Sequence, residues 1–272
     1  MSGEDMMENQ QRIASATPGA VPRLRPVTFE DVVSSLREGW ADFRAYPLYG
    51  LAFGAIYAAG GLVVLYVLMR LGAPWMIIPM AIGFPLVAPF VAVGLYEISR
   101  RRAAGEPVTR AAVFAHVFHQ RERQFGWMAF VVLFIFWIWI YQVRLLLALF
   151  LGFKSFSSLD AFVHVVTTTP EGWGFLFVGT LVGAGLALVL FSATVIAMPM
   201  LMVREVDFIS AMIASVSTVA GSPAAMIGFG IIIGTLTLVA LAPAFLGLLV
   251  ALPVLGHATW RLYARLAEPG AD

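Results

Sequence analysis

From Pro223 to Trp260 the chain runs for 38 residues without Asp, Glu, Lys or Arg. As one helix rising 1.5 Å per residue this would measure roughly 57 Å, nearly twice the hydrocarbon thickness of a bilayer. A run of that length needs a break, and Pro243 is placed to make one, leaving two short spans. In lipid every backbone N–H and C=O has to be satisfied within the chain, so each span is expected to be a helix. The rest of the sequence has the same character. With 60% hydrophobic and 12% charged residues it lies far from soluble domains, in which about a quarter of residues are charged. The expected fold class is all-α, a polytopic membrane bundle.

Four further apolar runs bring the expected spans to six. They are Leu48–Met69, Pro74–Ser99 (interrupted by Pro79, Pro85 and Pro89), Gly126–Gln142 and Trp173–Val203. The last is long for one crossing and too short for two, and a tilted helix accounts for it. Residues 1–27 are rich in Ser, Gly, Pro, Glu and Gln, so they read as a disordered cytoplasmic tail ahead of a single membrane domain, 28–268. With no apolar run in that tail, the first span is expected to do the targeting. The absence of cysteine removes disulfides and thiolate chemistry.

The chain writes one stretch twice. Asp31, Ser34, Pro47, Phe53, Gly54 and Ile56 recur 176 residues later as Asp207, Ser210, Pro223, Phe229, Gly230 and Ile232. Both copies lead from a helix-period segment through a proline into an apolar run. In the first, Thr28 and Asp31 resemble a capping box. Phe29, Val32, Val33, Leu36, Trp40 and Phe43 then form an apolar stripe opposite Asp31, Ser34, Ser35, Arg37, Glu38 and Asp42. That pattern is expected of an amphipathic helix lying in the membrane interface. Thr109–Phe125 has the same layout without the identities. The architecture expected is two to three parallel repeats, each an interfacial helix followed by a transmembrane hairpin, with units of about 28–102, 107–206 and 207–268.

Charge sets the orientation. Placing the N-terminus in the cytoplasm puts fourteen of the seventeen basic residues on the cytoplasmic side, and Arg70, Arg144 and Lys154 outside. This bias puts both termini in the cytoplasm and favours six spans over five, since five would export Arg261 and Arg265.

Charged groups within spans are the default functional candidates. Glu97 is three residues from Arg100 and can pair with it or Arg101 as a helix-end anchor, the alternative being a proton or substrate site. Arg144 lies near the outer end of the third span, where its side chain can snorkel. His116, His119 and Glu122 share a helix face, but the set lacks an i, i+4 histidine pair and a fourth donor, so no metal is expected. His257 stands near the cytoplasmic end of the last span, where it can titrate or make an interfacial hydrogen bond. Gly50-xxx-Gly54, Gly179-xxx-Gly183 and Gly230-xxx-Gly234 are small-residue seams for helix packing. There is no phosphate-binding loop, nucleophile elbow or HExxH, so no catalytic residue and no cofactor is expected.

At its two ends, FEDVVSSLREGWADFRAYPLYGLAFGAIYAAGG and PVLGHATWRLYARL, the sequence resembles an uncharacterised bacterial family of integral membrane proteins, domain of unknown function 2189. The closing Gly256–Trp260 element with Tyr263 carries the resemblance most specifically. Some members of that family bear a cytochrome c oxidase label, which implies haem-ligating histidines in several spans. Here only His257 is near one, so the haem–copper chemistry does not carry over. The resemblance implies an inner-membrane bundle. The function expected is non-enzymatic, an organising or assembly protein that contacts the lipid bilayer and other membrane proteins or a second copy, with no role for nucleic acid. The alternative is a transporter or permeation pathway for a lipid-like or amphipathic solute.

Overall fold

The computed structural model describes residues 22, 24–70, 88–113, 125–152, 156 and 158–267. Among these the principal elements are helices: α1 Phe29–Ala45, α2 Pro47–Arg70, α3 Ala88–Ala103, α4 Phe125–Leu151, α5 Leu159–Thr168, α6 Pro170–Thr194, α7 Ala197–Val203, α8 Phe208–Gly221, α9 Pro223–Leu241 and α10 Leu248–Leu266. Four stretches of the described residues are long and apolar enough to cross a membrane: Pro47–Val67, Gly126–Leu151, Pro170–Val203 and Pro223–Leu241. Pro79 and Pro85 of the expected second span lie outside the described residues.

The prolines act where the sequence places them. α1 ends at Tyr46 (φ −132°, ψ 56°), whose N–H reaches the Asp42 carbonyl, and Pro47 starts α2. α8 ends in nearly the same backbone at Ser222 (φ −138°, ψ 57°), whose N–H reaches the Thr218 carbonyl, and Pro223 starts α9. Pro is suited to the first position of a helix, because its missing N–H would be unpaired there anyway. The helix starts are less alike. Asp31 is the third residue of a capping box on Thr28, whereas Asp207 is itself the N-cap of α8, accepting from Ser210 N at 2.9 Å. Both aspartates cap, but from different positions.

Two connections differ from expectation. The stretch Trp173–Val203 is not one tilted helix: it is broken at Val195–Ile196 between α6 and α7. Pro199 explains the site, because its ring clashes with the carbonyl four residues back and offers it no N–H. The Ile196 N–H donates instead to Ser215 Oγ on α8, at 3.1 Å. The segment 145–170, which joins the third and fourth expected spans and would be a connection, is also largely helical among its described residues. α4 continues past Arg144 to Leu151, and α5 follows, capped by Ser158 through the Ala161 N–H.

Everything at one end of the bundle is arranged around α10. Its neighbours are α1, α2, α3, α7 and α9, and from Leu255 to Trp260 it is buried all round. Burial at these positions requires close approach. A Cβ on Gly39 of α1 would sit 2.6 Å from Ala258 N, and one on Gly54 of α2 would sit 2.7 Å from the Leu249 Cα. These helices therefore meet α10 backbone to backbone. Gly230, the partner of Gly54 in the duplicated stretch, has only the Phe191 ring at 3.5 Å. The two glycines thus occupy different surroundings.

The same contact buries part of the polar side of α1 along with part of its apolar stripe. Its buried residues are Asp31, Val32, Ser35, Gly39, Asp42 and Phe43, while Phe29, Val33 and Trp40 are exposed. The small and acidic side is turned inward because Gly39 gives flat access to α10 and the acids have arginine partners there. The tail is tied down as well. Arg25 N donates to the Leu266 carbonyl, Val27 N donates to Ser222 Oγ, and Val27 is buried. Arg25 and Val27 are thus held against α10 and the α8–α9 junction.

Candidate functional site at the arginine-rich end

Three acids on α1 and one on α3 gather arginines from across the sequence. The principal centre is Asp42, with no exposed surface. Arg261 of α10 grips both its oxygens, Nε to Oδ2 at 2.8 Å and the terminal nitrogen to Oδ1 at 2.8 Å. Arg102 of α3 donates to Oδ1, and the Ser99 hydroxyl donates to Oδ2 at 2.6 Å. One carboxylate thus joins α1, α3 and α10. One turn earlier, Glu38 pairs with Arg265 and stands 3.9 Å from Arg261. At the start of α1, Asp31 receives both terminal nitrogens of Arg25, at 2.8 and 2.6 Å.

A second centre lies on α3. Glu97 is fully buried and accepts from Arg100 Nε at 2.8 Å and Arg101 Nε at 2.6 Å. Glu106 closes the group by accepting from Arg100 at 3.0 Å. The anchoring pair expected of Glu97 is thus present with both arginines.

Ser99 links Asp42 to His257. Its oxygen is 2.7 Å from His257 Nδ1. An ionised Asp42 can only accept, so the Ser99 proton points to it and the Ser99 oxygen accepts from Nδ1–H. In the neutral ring this assigns the lone pair to Nε2, which is buried with no partner among the described residues. The order Asp–Ser–His differs from a hydrolytic triad, in which the base contacts the nucleophile and the acid contacts the base. Here the hydroxyl is held from both sides and is not free to attack.

The remaining expected residues fall elsewhere. Arg144 is exposed on α4 and, among the described residues, has no bond to the Asp42 or Glu97 centres. His116, His119 and Glu122 lie outside the described residues, and no metal-ligating group of three or more is found among the described ones. Sequence reasoning singled out Glu97 and His257 but missed Asp42, Ser99, Arg102 and Arg261. The available signal was Gly39, which marks the side of α1 able to approach another helix and so the side carrying Asp42.

Electrostatics follow the pairing. Burial alone would push the Asp42 carboxyl up, but the bonds from Arg261, and then from Ser99 and Arg102, hold it below the ordinary carboxylate range. Arg25 does the same for Asp31, aided by Thr28 against partial burial. A carboxyl whose folded-state pKa is depressed adds stability that is present above its unfolded value and is lost as pH falls through the folded value. Thermal unfolding in detergent is expected to be insensitive to these acids from pH 8 to 5 and to weaken below about pH 4, the unfolded aspartate range. Asp31→Asn with Asp42→Asn should remove most of that acid-side loss. An unchanged slope below pH 4 in the double variant would show that other groups carry it.

The chain was compared with known families, curated proteins and solved structures. No curated protein and no solved structure matches it. A family model matches residues 77–202, covering α3 to α6 and most of α7. It includes Glu97, Ser99 and Arg102 and leaves out α1, α2 and α8 to α10. The match therefore falls on the middle of the chain, not on the two ends from which the resemblance is drawn. Over residues 77–202 the chain matches the family described as Predicted integral membrane protein (DUF2189), and with four stretches able to cross a bilayer it is an integral membrane protein.

Proposed function

We propose that this is a non-enzymatic scaffold of the bacterial inner membrane that holds other membrane components against its arginine-rich end. The observation that carries the reading is the Asp42 centre. Buried charge in a membrane protein marks function by default. Here the carboxylate is engaged by Arg102, Arg261 and Ser99, which join three helices into one rigid end. Such a lock maintains a fixed surface.

The six-span topology with cytoplasmic termini fits this arrangement. Arg102 ends α3 and Arg261 lies in the last half of α10, and both reach the same carboxylate. Taking α3 and α10 to belong to the second and sixth spans puts these arginines on the cytoplasmic side, in keeping with the charge bias. The shared kinks at Tyr46 and Ser222 support reading α1–α2 and α8–α9 as copies of one unit.

Cross-linking in the native membrane, followed by purification in mild detergent, tests the function. Other membrane proteins are expected to be recovered at a constant ratio to the chain, and Asp42→Asn, which loosens the end, should lower that ratio. Recovery of the chain alone would overturn the reading.

A further inference from the structure

Helix α1 carries its acids and its bases on different sides. Asp31, Glu38 and Asp42 are engaged by Arg25, Arg265, Arg261 and Arg102 within the bundle. Outward lie Val33, Arg37, Trp40 and Arg44, at i, i+4, i+7 and i+11, followed by Leu48 at the start of α2, all exposed. Neither Arg37 nor Arg44 has an ion pair among the described residues. The acid of α1 nearest this face is Glu30, in its first turn and roughly 10 Å along the axis from Arg37.

Helix α8 supplies an internal comparison. The residues 176 positions further on are Ile209, Ile213, Val216 and Ala220, and all four are likewise exposed. Two helices with the same closing kink thus turn the same positions outward. On α8 the face is wholly apolar, and on α1 it carries two guanidinium groups and an indole.

We propose that this face of α1 binds the headgroups of anionic phospholipids. Arg37 and Arg44 would take lipid phosphate, for which the planar guanidinium fork is suited. Trp40 would sit at the headgroup level, as indoles do. Val33 (53% exposed) and Leu48 (75% exposed) would meet acyl chains. A lipid fits better than an acidic protein surface because the face alternates cations with large exposed apolar groups, which calls for an anionic layer lying over hydrocarbon. Pairing the three acids with arginines, two of them in the interior, reduces the repulsion they would otherwise exert. The inference concerns α1 alone and stands whether or not the chain gathers protein partners.

Native mass spectrometry of the detergent-purified full chain, titrated with phosphatidylglycerol or phosphatidylcholine, tests it. The unaltered chain is expected to take phosphatidylglycerol more tightly. Arg37→Ile with Arg44→Ala, which installs the residues of α8, should lose about thirtyfold in phosphatidylglycerol affinity, from about fivefold per arginine near a charged surface. Its phosphatidylcholine affinity should fall much less, because choline offsets the phosphate charge there. Arg144→Ala, at an exposed arginine of α4, should leave both unchanged. Arg37→Lys with Arg44→Lys, which keeps the charge, should retain most of the preference. Equal affinity for the two lipids in the unaltered chain would overturn the proposal. So would a loss no greater than that of Arg144→Ala, or a lysine pair as weak as the Ile/Ala pair.

Discussion

Asp42→Ala is expected to lower the stability of the detergent-solubilised protein by about 3–5 kcal/mol, the usual cost of leaving a buried charge without its partner. The size of the effect comes from what remains. Arg261 is only 16% exposed, so its guanidinium would face the space left by the carboxylate, with its other acidic neighbour, Glu38, 3.9 Å away. Arg102 would turn to solvent more easily, and Ser99 would lose the acceptor that sets its direction toward His257. Removing both sides should cost much less than removing one. Asp42→Leu with Arg261→Met is expected to recover most of the loss, because a buried ion pair and an apolar pair of similar volume are often close in stability. Thermal unfolding of the three proteins provides the test. A loss under about 1 kcal/mol for Asp42→Ala, in the range of a surface pair, would show that the carboxylate is hydrated in solution.

Gly54→Ala and Gly230→Ala should differ in sign although they alter matching positions of the duplicated stretch. At Gly54 the new Cβ would lie 2.7 Å from both the Cα and the carbonyl oxygen of Leu249. Backbone cannot yield as a side chain can, so α2 would have to move off α10 at a cost of about 1–3 kcal/mol. At Gly230 the nearest atom is a ring carbon of Phe191 at 3.5 Å, an ordinary contact. There the better helix propensity of alanine should stabilise by up to about 1 kcal/mol. The measurement is again a melting curve, and equal shifts for both variants would contradict the packing described.

The apolar runs and the proline starts were legible because they depend on nearest neighbours alone. Pro47 and Pro223 begin helices since proline lacks a donor, and no distant residue needs to be known. The break at Val195 was partly legible, since Pro199 is visible, but the run around it is apolar enough to read as one long helix. The donor freed there is satisfied by Ser215, which only folding brings near. Arg144 misled in the other direction. A charge suggested the end of a span, while the leucines after it continue α4 to Leu151.

The inward face of α1 was least legible. Periodicity sorts residues by polarity, and it put Asp42 opposite the apolar stripe. What decides its burial is Arg261, 219 residues away in sequence, together with a glycine flat enough to let the helices touch. His257 was found by residue type, but its link to Asp42 runs through Ser99, which has no sequence signature. For Asp31 the capping pattern named the right partner, Thr28, and missed Arg25.

The central position of α10 also sets a timetable. The helix that α1, α2 and α3 pack against is synthesised after all of them, and Asp42 waits for Arg261 through 219 residues of elongation. At 5–20 residues per second this is roughly ten to forty seconds. For that interval the carboxylate has only Ser99 and Arg102 of α3 to meet, and the glycine seams of α1 and α2 exist without their counterpart. The acids on α1 would keep that helix at the water boundary until α10 arrives, so the final step of assembly is the docking of an early helix onto a late one.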